Sequence, residues 1–170
     1  MPTATDSSPE VVLMEVKGLM LDPSSKTPVV LLHDPVDDTY LPIWIGVFEA
    51  NAIALCIEGV EPPRPMTHDL LMTALDGLGA KIHKVTISAL KENTFFAEIA
   101  LQGPAGDHRI DSRPSDAIAL ALRAEAPIFA HRSVLESAQA AEFSDKLSSE
   151  EKLKKWLEQA AEDDFGEYEM

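Results

Sequence analysis

The sequence predicts an α+β domain in which antiparallel strand meanders are followed by helices. Strand-like segments follow one another directly, separated only by turn residues such as Asp22-Pro23-Ser24-Ser25 and Lys91-Glu92-Asn93. A doubly wound parallel sheet would instead alternate strand and helix. The tetrapeptide Ala52-Ile53-Ala54-Leu55 recurs as Ala117-Ile118-Ala119-Leu120, and each copy follows two long strands and a short one. We therefore expect a single domain built from a duplicated β-β-β-α unit.

The first copy of this unit begins with strands at residues 11–21, 28–33 and 40–44. A helix is expected at residues 46–58, and its residues are apolar on almost every side, which is typical of a helix buried from several directions. Gly59 ends this helix, and the prolines that follow prevent its continuation.

A second helix, capped by Thr67, is expected at residues 68–78. The second copy then has strands at residues 80–90, 94–101 and 108–111, followed by a helix that Pro114 opens and that ends near residue 124. A last strand at residues 127–130 and a helix at residues 133–141 complete the domain of residues 11–141.

The two ends of the chain are expected to lie outside this domain. Residues 1–10 are small, polar and proline-containing, so we expect disorder there. Residues 142–170 form an acidic tail, in which apolar residues recur at helical spacing and predict one amphipathic helix: Leu153, Trp156, Leu157 and Ala160.

Composition restricts the class of protein. The chain has 170 residues, 45% of them hydrophobic, without an apolar segment that approaches the length of a membrane span. Its single cysteine, Cys56, excludes an intramolecular disulfide and favours a cytoplasmic location. The net charge is −15, and residues 11–138 alone carry −7. Because polyanion binding normally uses a basic surface, any phosphate site must be local.

One candidate site is the segment Asp111-Ser112-Arg113-Pro114-Ser115-Asp116, at a predicted helix start. A helix start offers unpaired N–H groups and the positive end of the helix dipole, which suit phosphate. We predict that Arg113 and Ser115 bind phosphate. Asp111, Asp116 and Glu49 are the candidates to hold a divalent metal, magnesium or manganese. The structural alternative is that Asp116 caps the helix at the Arg113 N–H while Arg113 pairs with Asp111.

The segment Arg64-Pro65-Met66-Thr67-His68-Asp69 repeats this pattern of an Arg-Pro pair, a hydroxyl and an acid. Arg64, on a rigid proline loop, is predicted to hold phosphate, although it equally suits bonds to backbone carbonyls. His68 is predicted to act as general acid or base, and Asp69 and Asp116 are further catalytic candidates. The structural alternative makes Thr67 the cap, Asp69 an acid that is favourable to the helix dipole, and His68 a surface residue.

These two segments, together with Leu41-Pro42-Ile43-Trp44-Ile45-Gly46 and Glu49-Ala50, resemble the bifunctional nuclease (BFN) domain family over about residues 11–138. Members of that family act on both RNA and DNA. The resemblance therefore implies a nuclease with these two polymers as substrates.

We expect a cytoplasmic phosphodiester hydrolase that assembles as a homodimer or other homo-oligomer and does not enter the membrane. The alternative is a non-catalytic module that binds a phosphate-bearing ligand or regulates a partner, which the acidic body favours. A third interpretation makes both Arg-Pro segments purely architectural. The catalytic interpretation requires that the guanidinium groups and acidic side chains of both segments converge on one pocket.

Overall fold

The computed structural model describes residues 9–141, which form one seven-stranded sheet and four helices. The strands are β1 (Val11–Leu21), β2 (Pro28–Asp34), β3 (Thr39–Trp44), β4 (Lys81–Lys91), β5 (Thr94–Gly103), β6 (Gly106–Ser112) and β7 (Ile128–His131). The helices are α1 (Val47–Ile57), α2 (Thr67–Gly77), α3 (Pro114–Ala124) and α4 (Arg132–Ala141). The predictions for residues 1–8 and for the tail helix lie outside the described residues.

The sheet consists of two meanders joined by a central strand. Its order is β3-β2-β1-β7-β4-β5-β6. Strands β1 to β3 pair antiparallel, as do strands β4 to β6, while β7 runs antiparallel to β1 and parallel to β4. Each meander is followed by a helix, α1 or α3, and α2 is inserted between the copies. The α+β class and the repeated β-β-β-α order are therefore confirmed.

The repeated tetrapeptides lie in the middle of α1 and α3, where these helices pack against each other and against the sheet. Ile53 and Ile118 are completely buried in one hydrophobic core that includes residues of both meanders. Burying such a side chain contributes about 1.5–3 kcal/mol. This packing brings the starts of α1 and α3 side by side, although 64 residues separate Glu49 from Arg113.

The exposed parts of the helices differ from the sequence-based expectation in two places. The first turn of α1 is not buried, because Phe48 is 89% exposed. Helix α2 starts at Thr67 and its N-cap position is Met66, so the prediction that Thr67 is the cap is wrong by one residue. The carboxylate of Asp69 accepts the Met66 N–H at 2.9 Å and does the capping instead. None of the helices in the described part is long and apolar enough to cross a membrane.

Candidate functional site

A cavity of about 880 Å³ lies where α1, α2 and the junction of β6 with α3 meet. Both proline-led helix starts line it, with Thr67 and His68 from α2 and Arg113 and Asp116 from α3. The convergence that the catalytic interpretation requires is therefore only partial, because Arg113 and Asp116 line this cavity whereas the guanidinium and acid of the other segment, Arg64 and Asp69, do not.

The Arg113 guanidinium bridges two carboxylates at the mouth of this cavity. Arg113 is the N-cap residue of α3, and Pro114 keeps it in an extended conformation outside the helix. Its Nε donates to Asp116 Oδ2 at 2.9 Å, and its Nη1 donates to Glu49 Oε1 at 2.8 Å. The bonds of the structural alternative are not the ones observed, because Asp116 accepts from the Arg113 side chain and Arg113 pairs with Glu49 and Asp116 in place of Asp111. The side chain stays 63% exposed, which leaves the remaining N–H groups accessible to an anion.

His68 completes a chain of polar contacts through Asp116. Its Nε2 lies 2.8 Å from Asp116 Oδ1, so this carboxylate contacts His68 with one oxygen and Arg113 with the other. Burial opposes ionisation of Asp116, but the hydrogen bonds from Arg113 and His68 outweigh it and lower its pKa. An ionised carboxylate can only accept, so Nε2 carries the hydrogen and neutral His68 has its lone pair at Nδ1.

Glu49 holds the other end of the Arg113 guanidinium. Its carboxylate folds back over Gly46, at a position that a Cβ on residue 46 would occupy. The pKa of Glu49 is lowered by a hydrogen bond from its own backbone N–H and by Arg113. The role of Gly46 was missed from sequence, although a glycine three residues before an acid at a helix start could have indicated it.

Asp69 lies outside this chain of contacts and has a structural role. Its Oδ1 accepts from Arg123 Nε at 2.7 Å, and the Arg123 side chain is only 8% exposed. Arg123, and then the Met66 N–H, lower the pKa of Asp69. Asp69 lines a neighbouring cavity of about 430 Å³, whereas His68 lines the larger one. Sequence reasoning identified the helix-start role of Asp69 but missed Arg123, for which the local pattern held no signal.

Of the remaining predicted site residues, Asp111 lies in the larger cavity and Ser115 and Arg64 do not. Asp111 is exposed and lines the 880 Å³ cavity. Ser115 is buried and lines a separate cavity of about 270 Å³, which Arg113 also lines. Arg64 is exposed, lines none of these three cavities and makes no hydrogen bond or ion pair with another residue of the described range.

The arrangement of acidic groups does not by itself form a metal site. Among residues 9–141, no three side chains of His, Cys, Asp or Glu are grouped so that they could hold a metal ion. The carboxylates of Glu49 and Asp116 both face the Arg113 guanidinium, so a cationic group already lies between them. Metal binding by Asp111, Asp116 and Glu49 remains a prediction.

Comparison with known proteins identifies the family. Residues 30–142 match the family model of the bifunctional nuclease domain, which covers more than half of the chain. The chain belongs to the bifunctional nuclease domain family. The resemblance in the sequence is thereby confirmed, and the BFN domain match contains all three motif regions on which it was based.

Relatives of this BFN domain chain are found in bacteria and plants. Two uncharacterized proteins of Mycobacterium tuberculosis, from strains CDC 1551 and H37Rv, are each 38% identical over 161 residues, which is 89% of this chain and 96% of the relative. Bifunctional nuclease 2 of Oryza sativa subsp. japonica is 29% identical over 123 residues, which is 69% of this chain but 38% of the rice protein.

Proposed function

We propose that this protein hydrolyses phosphodiester bonds of RNA and DNA in the 880 Å³ cavity. The observation that carries the proposal is the Asp116 carboxylate, which contacts a histidine on one oxygen and an exposed arginine on the other. A proton-transfer group and an anion-binding group are thereby held by the two oxygens of one carboxylate in one cavity. Membership of the BFN domain family and the name of the rice relative support the same activity.

Arg113 binds the phosphate. Its Nε and one Nη1 hydrogen are directed at carboxylates, so the Nη2 group is available to the substrate. Glu49 and Asp116 hold the guanidinium in one orientation, which reduces the ordering that substrate binding must supply. They also stabilise its charge, and both raise the pKa of Arg113.

His68 supplies the proton. Water attacks phosphorus, the bond from phosphorus to the leaving sugar oxygen breaks, and that oxygen takes a proton from Nδ1 of the protonated His68 side chain. The attacking water releases a proton to solvent, and His68 regains one from solvent. Asp116 is an ionised acceptor 2.8 Å from Nε2, so it keeps the hydrogen on that nitrogen and leaves Nδ1 to face the substrate.

The net charge of the site favours substrate binding when His68 is protonated, which is the form that can donate the proton. The three carboxylates that line the cavity (Glu49, Asp111 and Asp116) and one guanidinium leave a charge of −2 when His68 is neutral, and −1 when it is protonated. A phosphodiester anion therefore binds more favourably to the protonated form. A divalent cation would supply the same compensation.

The test is hydrolysis of single-stranded RNA and DNA by highly purified full-length protein, with His68→Ala and Arg113→Ala as variants. We expect each variant to lower kcat/KM at least about 100-fold. The matched control is Arg109→Ala, since Arg109 is an exposed arginine paired with Glu98 that does not line this cavity. Activity that separates from the protein during purification, or that survives both variants, would contradict the proposal.

The metal prediction is tested in the same assay. Activity that chelator abolishes and magnesium or manganese restores supports metal assistance, whereas activity that chelator leaves unchanged contradicts it. Asp111→Asn is the informative variant here, because Asp111 lines the cavity without contacting Arg113.

The net negative charge of residues 11–138 favours one alternative, a non-catalytic module that binds a small phosphate-bearing ligand. Residues 11–138 have a net charge of −7, which disfavours a long polyanion far more than a single nucleotide. A binding module would show saturable thermal stabilisation by a nucleotide without turnover. Turnover that depends on His68 excludes it.

A further inference from the structure

The cavity has an apolar wall beside its charged groups. Phe48, Met66, Leu71 and Ile110 all line it, and each is at least 43% exposed. Phe48 is the extreme case, with 89% of its surface accessible on the first turn of a helix. Large apolar side chains this exposed, next to a polar site, are typical of a surface that a ligand covers.

Helix α1 presents a continuous face to this cavity. Phe48, Asn51, Ala52 and Leu55 line it at the spacing of three, four and seven residues that places side chains on one helix face. The Asn51 amide makes no side-chain hydrogen bond with any other residue between positions 9 and 141. It offers both a donor and an acceptor to a ligand.

This face is adjacent to the group that binds phosphate. Phe48 immediately precedes Glu49, whose carboxylate is 2.8 Å from Arg113 Nη1. A planar aromatic surface, a free amide and a guanidinium therefore occur within one cavity, and these are the groups that a nucleotide engages with its base face, base edge and phosphate.

We propose that the α1 wall binds one unpaired nucleobase, which stacks on Phe48 beside the phosphate held by Arg113. This inference rests on the proposed function and specifies its substrate class as single-stranded RNA or DNA, or the frayed end of a duplex. A base inside a duplex is covered on both faces by its neighbours and cannot stack on a side chain. Stacking also needs no basic surface, which suits a body with a net charge of −7.

The experiment compares wild-type protein with Phe48→Ala, Phe48→Trp and the control Leu78→Ala. Leu78 is 74% exposed at the end of α2 and does not line the cavity. The substrates are a short single-stranded oligonucleotide, the same strand annealed to its complement, and the same strand with an abasic spacer next to the scissile bond.

We expect wild-type protein to cleave the single strand at least about 10-fold faster than the duplex, because the base must be unpaired. Phe48→Ala should raise KM about 10-fold on the single strand while kcat changes little, and Phe48→Trp should restore KM. Leu78→Ala should have no effect. On the abasic strand, Phe48→Ala should behave as wild type.

Three results would overturn the inference while leaving the proposed function intact. The first is that wild-type protein cleaves duplex and single strand at the same rate. The second is that Phe48→Ala raises KM on the abasic strand as much as on the intact single strand. The third is that Phe48→Ala sediments differently from wild-type protein. The last would assign Phe48 to a contact between copies of the chain. If wild-type protein cleaves no substrate, the proposed function fails. Fluorescence anisotropy of the intact single strand then decides: about 10-fold weaker binding by Phe48→Ala supports base binding, and equal binding refutes it.

Discussion

The ion pairs of Arg113 are better explained by positioning than by stability. Its side chain is 63% exposed, and an exposed ion pair contributes only about 0–1 kcal/mol to the free energy of unfolding. Two carboxylates on one guanidinium nevertheless restrict its orientation. We infer that Glu49 and Asp116 orient the phosphate-binding group.

The Glu49 carboxylate can reach Arg113 from the start of α1 because residue 46 is a glycine, whose missing Cβ leaves room for it. The φ of −75° at Gly46 is accessible to every amino acid, so glycine is needed there for space and not for backbone freedom. We predict that Gly46→Ser displaces the Glu49 carboxylate and lowers kcat/KM on single-stranded RNA about 10-fold. Because serine is at least as good an N-cap as glycine, the urea midpoint should remain that of wild type.

A double-mutant cycle shows whether Gly46 acts through Glu49. In protein that already carries Glu49→Ala, the further change Gly46→Ser should have no effect on kcat/KM, since the carboxylate it displaces is absent. Additive losses from the two substitutions would contradict this explanation.

At the scale of elements, three helices start with an acid at their third residue. Glu49 in α1, Asp69 in α2 and Asp116 in α3 all occupy this position. An acid there is favourable to the helix dipole, so each local sequence has a sufficient structural reason for it. The three acids differ in the arginine that they contact in the folded protein. Glu49 and Asp116 contact Arg113, whereas Asp69 contacts Arg123.

The Asp69 and Arg123 pair joins α2 to α3 and should affect stability in a pH-dependent way. Because the pKa of Asp69 is lowered in the folded protein, the pair stabilises the fold above the unfolded pKa, and this contribution is lost as the pH falls through the lowered value. We predict that Asp69→Asn lowers the free energy of unfolding by about 2 kcal/mol at pH 7, measured by urea titration. The difference should shrink as the pH falls below about 4.

The matched control is Asp76→Asn, an exposed acid of the same helix without an ion pair to another residue of the described range. It should leave stability at pH 7 within about 0.5 kcal/mol of wild type. If both variants lose the same stability, or if the loss from Asp69→Asn is independent of pH, the pair does not join the helices as inferred.

At the scale of the whole molecule, the net charge of −15 acts on a polynucleotide substrate at long range, before any contact forms. An acidic body repels a polyanion, so binding must come from the few groups in the cavity. We predict that single-strand affinity falls with salt with a log–log slope near −1, as about one phosphate contact requires. The measurement is anisotropy titration of the non-cleaving His68→Ala protein over a range of KCl concentrations.

A slope steeper than about −3 would indicate several basic contacts and contradict this prediction. The same preparation allows the predicted homodimer to be examined by sedimentation. Oligomeric state and cytoplasmic location both remain predictions.

Local patterns in the sequence were sufficient to predict the strands and helices of this fold. Turn residues, prolines and apolar periodicity act within a few positions, so strand β1 and helix α3 were predicted with the bounds they have in the structure. The same local patterns located both proline-led helix starts.

The composition of the site was decided by tertiary structure. His68 contacts Asp116 across 48 residues of sequence and Arg113 contacts Glu49 across 64, whereas Arg64, in an equivalent Arg-Pro pair, lines none of the cavities described. Which acid contacts which base depends on how α1, α2 and α3 pack. That packing is set by non-local burial of apolar surface, which no short segment of sequence contains.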